Sequence, residues 1–187
     1  MKIAIGLPTN RKIKPKTALS ILQMIAHSKY EYQFIVSTKG FNTAENRTYI
    51  AVQAIKGGCS HLLLLDDDMI YAPDSLDKLL ACDKDIVGAT YNVRREVAEG
   101  DPKVIEYLEE EKPEGLFKCK ALGGGLLLIK TIALLRIKRP WFGYEWYDNG
   151  MVKMSNDWWF CGLARKAGID IWCDSSLFPG HIGKKEY

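Results

Sequence analysis

The chain has 187 residues, of which 47% are hydrophobic and 26% are charged, and its 26 Lys and Arg against 23 Asp and Glu give a net charge of +3. This length favours a single domain spanning residues 1–187, and this composition excludes a disordered or collagen-like chain. The small positive excess gives no sign of the concentrated basic stripe of a nucleic-acid-binding protein, so no nucleic-acid partner is expected.

The cysteines and the apolar segments bear on the cellular compartment. The five cysteines are widely spaced and contain no C-x-x-C pair, so neither a disulfide framework nor a zinc site is expected. Unpaired thiols are typical of a reducing compartment. The apolar run at the N-terminus is too short for a signal peptide. The most apolar stretch, 121–137, is broken by three glycines and Lys130, so no transmembrane segment is expected. We therefore expect a soluble protein of the cytoplasm.

Strand and helix patterns alternate through residues 1–91. Asn42 and Glu45 suit a capping box at the start of the second helix, which Gly57-Gly58 would end. The run at 61–65 lacks alternation and predicts a strand that is buried on both faces, as in a helix-covered parallel sheet. The alternation as a whole predicts an open α/β sheet. The predicted elements lie at 2–7 (strand), 17–28 (helix), 32–37 (strand), 42 to 57 (helix), 61–65 (strand), 74 onwards (helix) and 85–91 (strand).

The second half of the chain is less regular. Residues 92–115 are rich in charge and predict a surface excursion with a short helix at about 104–111. Strands are predicted at 117–122 and 170–173. Ser155 is placed to cap a helix that Gly168 would close. The predicted inner face of this helix consists of Trp159, Leu163, Ala164 and Ala167.

Three adjacent aspartates, Asp66, Asp67 and Asp68, follow the buried strand directly. Open α/β sheets bind ligands just beyond the carboxyl ends of their strands, and strand alternation would turn Asp66 and Asp68 to one side and Asp67 to the other. Adjacent carboxylates repel one another unless a cation is bound. Mg²⁺ or Mn²⁺, sharing carboxylates with substrate phosphates, is the expected partner. An aspartate that merely caps a turn before Pro73 is the structural alternative.

Several segments, in the same order along the chain, resemble the motifs of one known family. The segment around the three aspartates resembles the D-x-D motif of the GT-A-type nucleotide-sugar glycosyltransferases, particularly family 2. The resemblance implies an α/β GT-A fold in one domain, a mostly parallel mixed sheet flanked by helices, with a nucleotide-binding half at 1–91 and an acceptor-binding, catalytic half at 116–183. Further matching segments are Asn46-Arg47 (with altered order), 85–91, Gly123-Gly124-Gly125, Pro140-Trp141-Phe142, Ser155-Asn156-Asp157 and the histidine motif at 179–183.

The family resemblance implies a metal-dependent enzyme. It would move a sugar from a UDP- or GDP-sugar to a hydroxyl of an unknown glycan, lipid or protein, using Mn²⁺ or Mg²⁺ to neutralise charge on the departing nucleotide. Asp68 would bind the metal ion, with His181 as a further ligand. Asp66 and Asp67 would contact the ribose or metal-bound water, and Asp66 is also a candidate metal ligand. The glycines beside His181 would let the backbone approach a ligand closely.

The same resemblance implies the residues that contact the donor. The segment Pro8-Thr9-Asn10 would lie against the nucleotide base and ribose, and Arg47 could reach the base or the phosphates. Gly124 would lie beside the donor sugar. Trp146 and Trp158 are expected to be exposed, and Trp158 is a candidate for stacking on a sugar.

Asp157 is implied as the general base that removes the proton of the acceptor hydroxyl, with inversion at the anomeric carbon. Its predicted place in the first turn of a helix favours the ionised form. A simple helix-start residue is the alternative. The family pattern has Glu before this aspartate, whereas this chain has Asn156. Altered activity or an unusual acceptor would follow if that Glu matters.

Other functions remain open from the sequence. A haloacid-dehalogenase-like phosphatase also carries D-x-D after a buried strand, but it expects Thr or Val where this chain has Ile70. A sugar nucleotidyltransferase needs a long glycine-rich, Arg-containing loop after its first strand, and residues 7–11 do not supply one. A catalytically inactive nucleotide-sugar-binding protein is the third alternative, motivated by the short chain and by Asn156.

Overall fold

The structure is a computed structural model that describes residues 1–9, 12–38, 40–93, 104–108 and 113–183. The helices in these ranges are α1 (Pro15–His27), α2 (Thr43–Lys56), α3 (Ser75–Ala81), α4 (Thr131–Arg136) and α5 (Asn156–Lys166). The strands are β1 (Lys2–Pro8), β2 (Glu31–Ser37), β3 (His61–Leu65), β4 (Met69–Ile70), β5 (Ile86–Gly88), β6 (Ile105–Tyr107), β7 (Leu116–Leu122), β8 (Leu126–Lys130), β9 (Glu145–Trp146), β10 (Val152–Met154), β11 (Ile171–Asp174) and β12 (Gly180–His181).

An eight-stranded sheet in the order β2-β1-β3-β8-β5-β11-β7-β6 forms the centre of the molecule. β1 pairs in parallel with β2 and β3, and β5 pairs in parallel with β11. β7 and β8 are antiparallel to their neighbours, so they run against the other six strands. This is the mixed, mostly parallel sheet that the sequence predicts. Two small antiparallel ribbons, β9 with β10 and β4 with β12, lie outside it.

Helices cover both faces of the sheet, which explains the uninterrupted apolar run of β3. Leu62 and Leu64 pack into the core formed with α2, α4 and α5. Leu63 and Leu65 pack into the opposite core, formed with α1 and α3. Because successive side chains of a strand point to opposite faces, a strand covered on both sides buries both sets, and Leu62 to Leu65 are all buried. After His61 at its start, the next polar side chains come where β3 ends, at the edge of the sheet.

The start of α2 matters because this helix carries Arg47. The Asn42 side chain accepts a hydrogen bond from the Glu45 backbone N–H at 3.0 Å, as an N-cap residue should. Glu45 accepts from the backbone N–H of Phe41 at 3.0 Å rather than from that of Asn42, a variation on the expected capping box. The helix ends at Gly57, and Gly58 follows with a φ of 68°, a conformation that suits glycine.

Two predictions from the second half of the chain are wrong. Where a short helix was expected, residues 105–107 form β6, because pairing with β7 supplies their backbone hydrogen bonds; residues 109–111 lie outside the described ranges. In α5, the buried side chains include Asn156, Phe160 and Ala164, not Trp159. Their spacing of four residues places the polar Asn156 on the inner face, which a search for apolar positions does not detect.

No helix in the described part of the chain is both long and apolar enough to cross a lipid bilayer.

Candidate active site

A cavity of about 700 Å³ lies at the carboxyl ends of β1 and β3, where the sequence predicts a ligand site. Its lining brings together residues from both halves of the chain. Nearly all of the predicted site residues are among them, and Asn10 lies outside the described residues. The lining residues are Pro8, Thr9, Lys12, Lys14, Thr43, Asn46, Arg47, Asp66, Asp67, Asp68, Tyr91, Val93, Val104, Ser155, Asn156, Asp157, Trp158 and His181.

Arg47 forms the centre of a buried polar cluster at one side of this cavity. Only 3% of the residue is exposed. Its Nη2 lies 2.8 Å from Asp66 Oδ1, and its Nη1 donates to Asn156 Oδ1 at 2.5 Å and lies 3.8 Å from Asp157 Oδ2. Burial alone would lower the pKa of Arg47, but the negative charges of Asp66 and Asp157 outweigh burial and raise it. The arginine is therefore charged and ties the D-x-D segment to the start of α5.

Gly124 is required by the position of the guanidinium group. A Cβ atom at Gly124 would lie 2.5 Å from Cζ of Arg47, closer than two such atoms can approach. The backbone N–H of Gly124 also donates to Asp157 Oδ2 at 3.2 Å. The predicted glycine turn thus lies against both Arg47 and Asp157, although Gly124 itself is not among the residues that line the cavity.

Asp157 lies in the first turn of α5, with a side chain that is 14% exposed. Its Oδ1 accepts hydrogen bonds from the Ser155 hydroxyl and from the Trp158 backbone N–H, the latter at 3.2 Å. Donors on both oxygens and a helix N-terminus stabilise the negative charge of a carboxylate. These hydrogen bonds fix the Asp157 carboxyl group at the cavity wall.

Asp68 and His181 form a second group on the other side of the cavity. The antiparallel pairing of β12 with β4 places His181 next to the acidic turn, and the backbone N–H of Ile182 donates to the carbonyl of Asp68 at 2.8 Å. His181 Nδ1 contacts the carbonyl oxygen of Asn92 at 2.9 Å, and its Nε2 lies 3.4 Å from Asp68 Oδ1. Because a carbonyl oxygen can only accept, Nδ1 carries a proton and Nε2 points toward the carboxylate.

This pair suits a divalent metal ion. The Nε2 atom of His181 and the Oδ1 atom of Asp68 face each other, and nitrogen and carboxylate oxygen atoms are both donors that divalent ions bind. Fixing a ligating histidine through its other nitrogen is common at metal sites. A nitrogen and an oxygen donor favour Mn²⁺ over Mg²⁺, which prefers oxygen ligands. Among the described residues, no group of three or more His, Cys, Asp and Glu side chains could hold a metal ion, so substrate phosphates and water would complete the coordination.

The three aspartates do not alternate as expected. β3 ends at Leu65, and residues 67–68 form a turn rather than a strand, so each carboxylate has a different partner. Asp66 pairs with Arg47, and Asp68 lies beside His181. Asp67 accepts a hydrogen bond from the Thr9 hydroxyl, which joins the end of β1 to the acidic turn.

Several residues of the site escaped sequence analysis. Lys14 donates from its backbone N–H to Asp67 O at 3.1 Å and from Nζ to Ile182 O at 2.9 Å, so it links the acidic turn to the C-terminal segment. Tyr91 accepts from the Gly125 backbone N–H at 3.1 Å, and burial raises the pKa of its hydroxyl. Tyr144 accepts from Asn156 Nδ2 at 3.2 Å. The only sequence signal for Lys14 and Tyr91 is that they lie shortly after strands, β1 and β5 respectively. Tyr144 has no such signal.

Comparison with known proteins identifies the fold. No protein-family model matches the chain, and no curated protein matches it. Solved structures do match, and the neighbours described below share the GT-A fold. This chain has a GT-A-like fold, as its mixed sheet and flanking helices also show.

Three of these structures show the extent of the likeness. A197 from STIV has a TM-score of 0.65 at 18% identity, over 97% of this chain and 86% of that chain. GalNAc-T7, solved with UDP, GalNAc and Mn²⁺, has a TM-score of 0.57 at 12% identity, over 97% of this chain. Residues 1–349 of TarS from S. aureus, solved with UDP-GlcNAc, have a TM-score of 0.53 at 16% identity, over 100% of this chain. The present chain spans 43% of the GalNAc-T7 chain and 60% of the TarS chain.

Proposed function

We propose that this chain is a metal-dependent glycosyltransferase that moves a sugar from a nucleotide-diphosphate sugar to an acceptor hydroxyl, with inversion at the anomeric carbon. The observation that carries the proposal is that Asp157 and the Asp68–His181 pair line one cavity of a GT-A-like fold. A carboxylate that can take a proton and a site for a divalent ion are the two chemical groups that this reaction needs.

Asp157 is proposed as the general base. It removes the proton of the acceptor hydroxyl while that oxygen forms a bond to the anomeric carbon, and the bond from this carbon to the diphosphate oxygen breaks. Attack from the face opposite the leaving group inverts the configuration. Arg47, 3.8 Å from Asp157 Oδ2, and the Gly124 backbone N–H hold the carboxyl group in place for this step.

The Asp68–His181 pair is proposed to hold Mn²⁺ or Mg²⁺, and Mn²⁺ fits its nitrogen and oxygen donors better. A metal ion bound there would neutralise negative charge on the departing nucleoside diphosphate. Lys12 and Lys14 line the same cavity and add positive charge near this position. The crystal of GalNAc-T7 with UDP and Mn²⁺ shows that a protein of this fold can bind that combination.

The nucleotide is proposed to lie over the carboxyl end of β1. Pro8, Thr9 and Asp67 line that part of the cavity, and the hydrogen bond from Thr9 to Asp67 fixes the Asp67 carboxylate for contact with the ribose. Trp158 is half-buried against the core rather than exposed as predicted, but it lines the cavity next to Asp157, and we expect it to contact the transferred sugar. Both UDP- and GDP-sugars are candidates.

Donor binding is tested first by thermal unfolding of the wild-type chain with UDP, GDP and their sugars, with and without Mn²⁺. A ligand at about one hundred times its Kd adds about 2.7 kcal/mol of stability, which raises the Tm of a domain of this size by about 5–10 °C. We expect this rise with one nucleotide family and only when Mn²⁺ is present.

Turnover is tested with Asp157→Asn, which keeps the shape of the side chain but cannot act as a base. We expect the variant to keep the Mn²⁺-dependent Tm rise and to lose about 10²- to 10⁴-fold in release of nucleoside diphosphate. Asp170→Asn, at an exposed ion pair with Lys118, is the control and should keep wild-type turnover. Nucleotide binding without any turnover in the wild type would indicate the inactive binding protein instead.

A further inference from the structure

The ribbon formed by β9 and β10 is the most exposed apolar feature near the candidate base. Trp146 is 57% exposed, Tyr147 53% and Met151 65%, and Val152 faces solvent beside them. Trp146 and Val152 are directly opposed in the register of the ribbon. β10 ends at Met154, one residue before the cap of α5 and three before Asp157. The ribbon therefore leads directly along the chain into the end of α5 that carries Asp157.

Side-chain contacts also connect the ribbon to the buried cluster. Asn156 accepts from Arg47 with Oδ1 at 2.5 Å and donates from Nδ2 to the Tyr144 hydroxyl at 3.2 Å. The Tyr144 ring lies 5.6 Å from the Trp146 ring, with the two planes inclined by 45°. A continuous chain of contacts thus runs from Arg47 through Asn156 and Tyr144 to the exposed indole of Trp146.

The chemistry of this surface matches a sugar better than a membrane or a protein core. Beside Met151 and Val152 it exposes Trp146 and Tyr147, whose rings combine an apolar face with a polar edge. The same ribbon carries charged and amide side chains: Glu145 pairs with Lys153 at 2.6 Å, and Asn149 accepts from the Met151 backbone N–H at 3.0 Å. A pyranose ring has the complementary pattern, with C–H groups on one face and hydroxyls around its edge.

We propose that the β9–β10 ribbon is the acceptor subsite and that it takes a hexose ring of a glycan acceptor, which packs on Trp146. This inference rests on the proposed glycosyltransferase function and specifies its acceptor class. Tyr144 and Asn156 are positioning residues: Asn156 holds Tyr144, and Tyr144 supports the indole. Asn156 differs from the acidic residue that the sequence motif leads one to expect, and its amide supplies a donor that a carboxylate lacks.

The test uses Trp146→Ala, with Phe34→Ala as the matched control, because Phe34 is a 53% exposed aromatic residue on β2. The probes are methyl glycosides of glucose, galactose, mannose and N-acetylglucosamine, together with cellobiose, maltose and lactose. Saturation-transfer NMR measures their binding to the full chain with and without UDP and Mn²⁺. We expect binding of at least one probe by the wild type, at least about fivefold less by Trp146→Ala, and wild-type binding by Phe34→Ala.

A second variant is needed because Trp146→Ala could lose saccharide binding through disruption of the ribbon itself. Tyr144→Phe keeps the ring but removes the hydroxyl that Asn156 contacts. We expect it to raise the KM for the bound saccharide about two- to fivefold, a larger factor than any change in kcat. A change in kcat alone would contradict the positioning role.

The outcomes separate this inference from the proposed function. Donor hydrolysis by the wild type together with equal saccharide binding by Trp146→Ala would overturn the acceptor subsite and leave the glycosyltransferase proposal intact. Absence of donor binding and hydrolysis would overturn the proposed function. Saccharide binding that depends on Trp146 would then still show that the ribbon binds a sugar. Binding to phosphatidylglycerol vesicles that depends on Trp146, without saccharide binding, would show a membrane contact and overturn the subsite.

Discussion

The two polar groups of the cavity differ in where their positive charge comes from. Around Arg47, the carboxylates of Asp66 and Asp157 face a cation that the chain itself supplies. Around Asp68, the facing group is the Nε2 atom of His181, 3.4 Å away. The first cluster contains its own cation, and the second is the pair that we propose to bind a metal ion.

This difference shows that neighbouring residues of one motif can have separate tasks. Asp66 and Asp68 are two positions apart, yet one belongs to a structural ion-pair cluster and the other to the candidate metal site. Removing the cation from the first group should damage folding, because it leaves buried carboxylates uncompensated. Changing the second group should affect ligand binding and leave the fold in place.

The largest expected effect comes from Arg47→Met, which removes the buried cation and keeps much of the side-chain volume. We expect the free energy of unfolding to fall by about 3–5 kcal/mol, as found when one partner of a buried ion pair is deleted. Urea denaturation monitored by tryptophan fluorescence gives this value. Arg136→Met, which breaks an exposed ion pair to Asp85, is the control and should change stability by about 0–1 kcal/mol. Equal, small effects for both variants would contradict a structural role for Arg47.

A smaller effect is expected from Gly124→Ala, since the added methyl group would meet the guanidinium of Arg47. Displacing that group should cost about 1–3 kcal/mol of stability, as for other overpacked sites. Gly162→Ala provides the opposite result: a Cβ there meets nothing within 4 Å, and alanine favours a helix by about 1 kcal/mol over glycine. If Gly124→Ala is as stable as the wild type, the close packing of Gly124 on Arg47 is incorrect.

The smallest effect concerns how well the core beneath α5 is closed to solvent. Cys161 is buried in α5, and burial raises the pKa of its thiol to about 12. The thiolate is the reactive form, so this raised pKa makes the buried thiol unreactive near neutral pH. Mass spectrometry after iodoacetamide treatment of the native chain should find Cys161 unmodified, while the half-buried Cys82 reacts sooner. Labelling of Cys161 at the rate of the unfolded chain would contradict a core beneath α5 that is closed to solvent.

Much of the fold follows from local patterns in the sequence. The run at 61–65 predicts a doubly covered strand because no polar residue interrupts it, and the cap at Asn42 predicts the start of α2 within one residue. The short strands β4, β9, β10 and β12 are not predictable in this way. Each has two or three residues and exists through pairing with a distant or adjacent segment, which leaves no periodic signal.

The site was predicted as a set of residues rather than as an arrangement. The family resemblance predicts Asp68, Asp157 and His181 as site residues, and in the structure all three line one cavity. The contact from Arg47 to Asn156 joins residues 109 positions apart, so no spacing rule indicates it. Alternation failed for the aspartates because it applies only while the strand continues, and β3 ends at Leu65. Their roles in binding and catalysis remain predictions.

Binding of Mn²⁺ by wild type and Asp68→Asn in the presence of UDP tests the central claim most directly. Electron paramagnetic resonance of free Mn²⁺ measures the affinity, with Asp170→Asn as the control because Asp170 pairs with Lys118 at an exposed position and does not line the cavity. We predict one site per chain in the wild type and in the control, and at least about tenfold weaker binding in Asp68→Asn. Equal affinity in Asp68→Asn and the wild type would contradict the assignment of Asp68 and His181 to the metal.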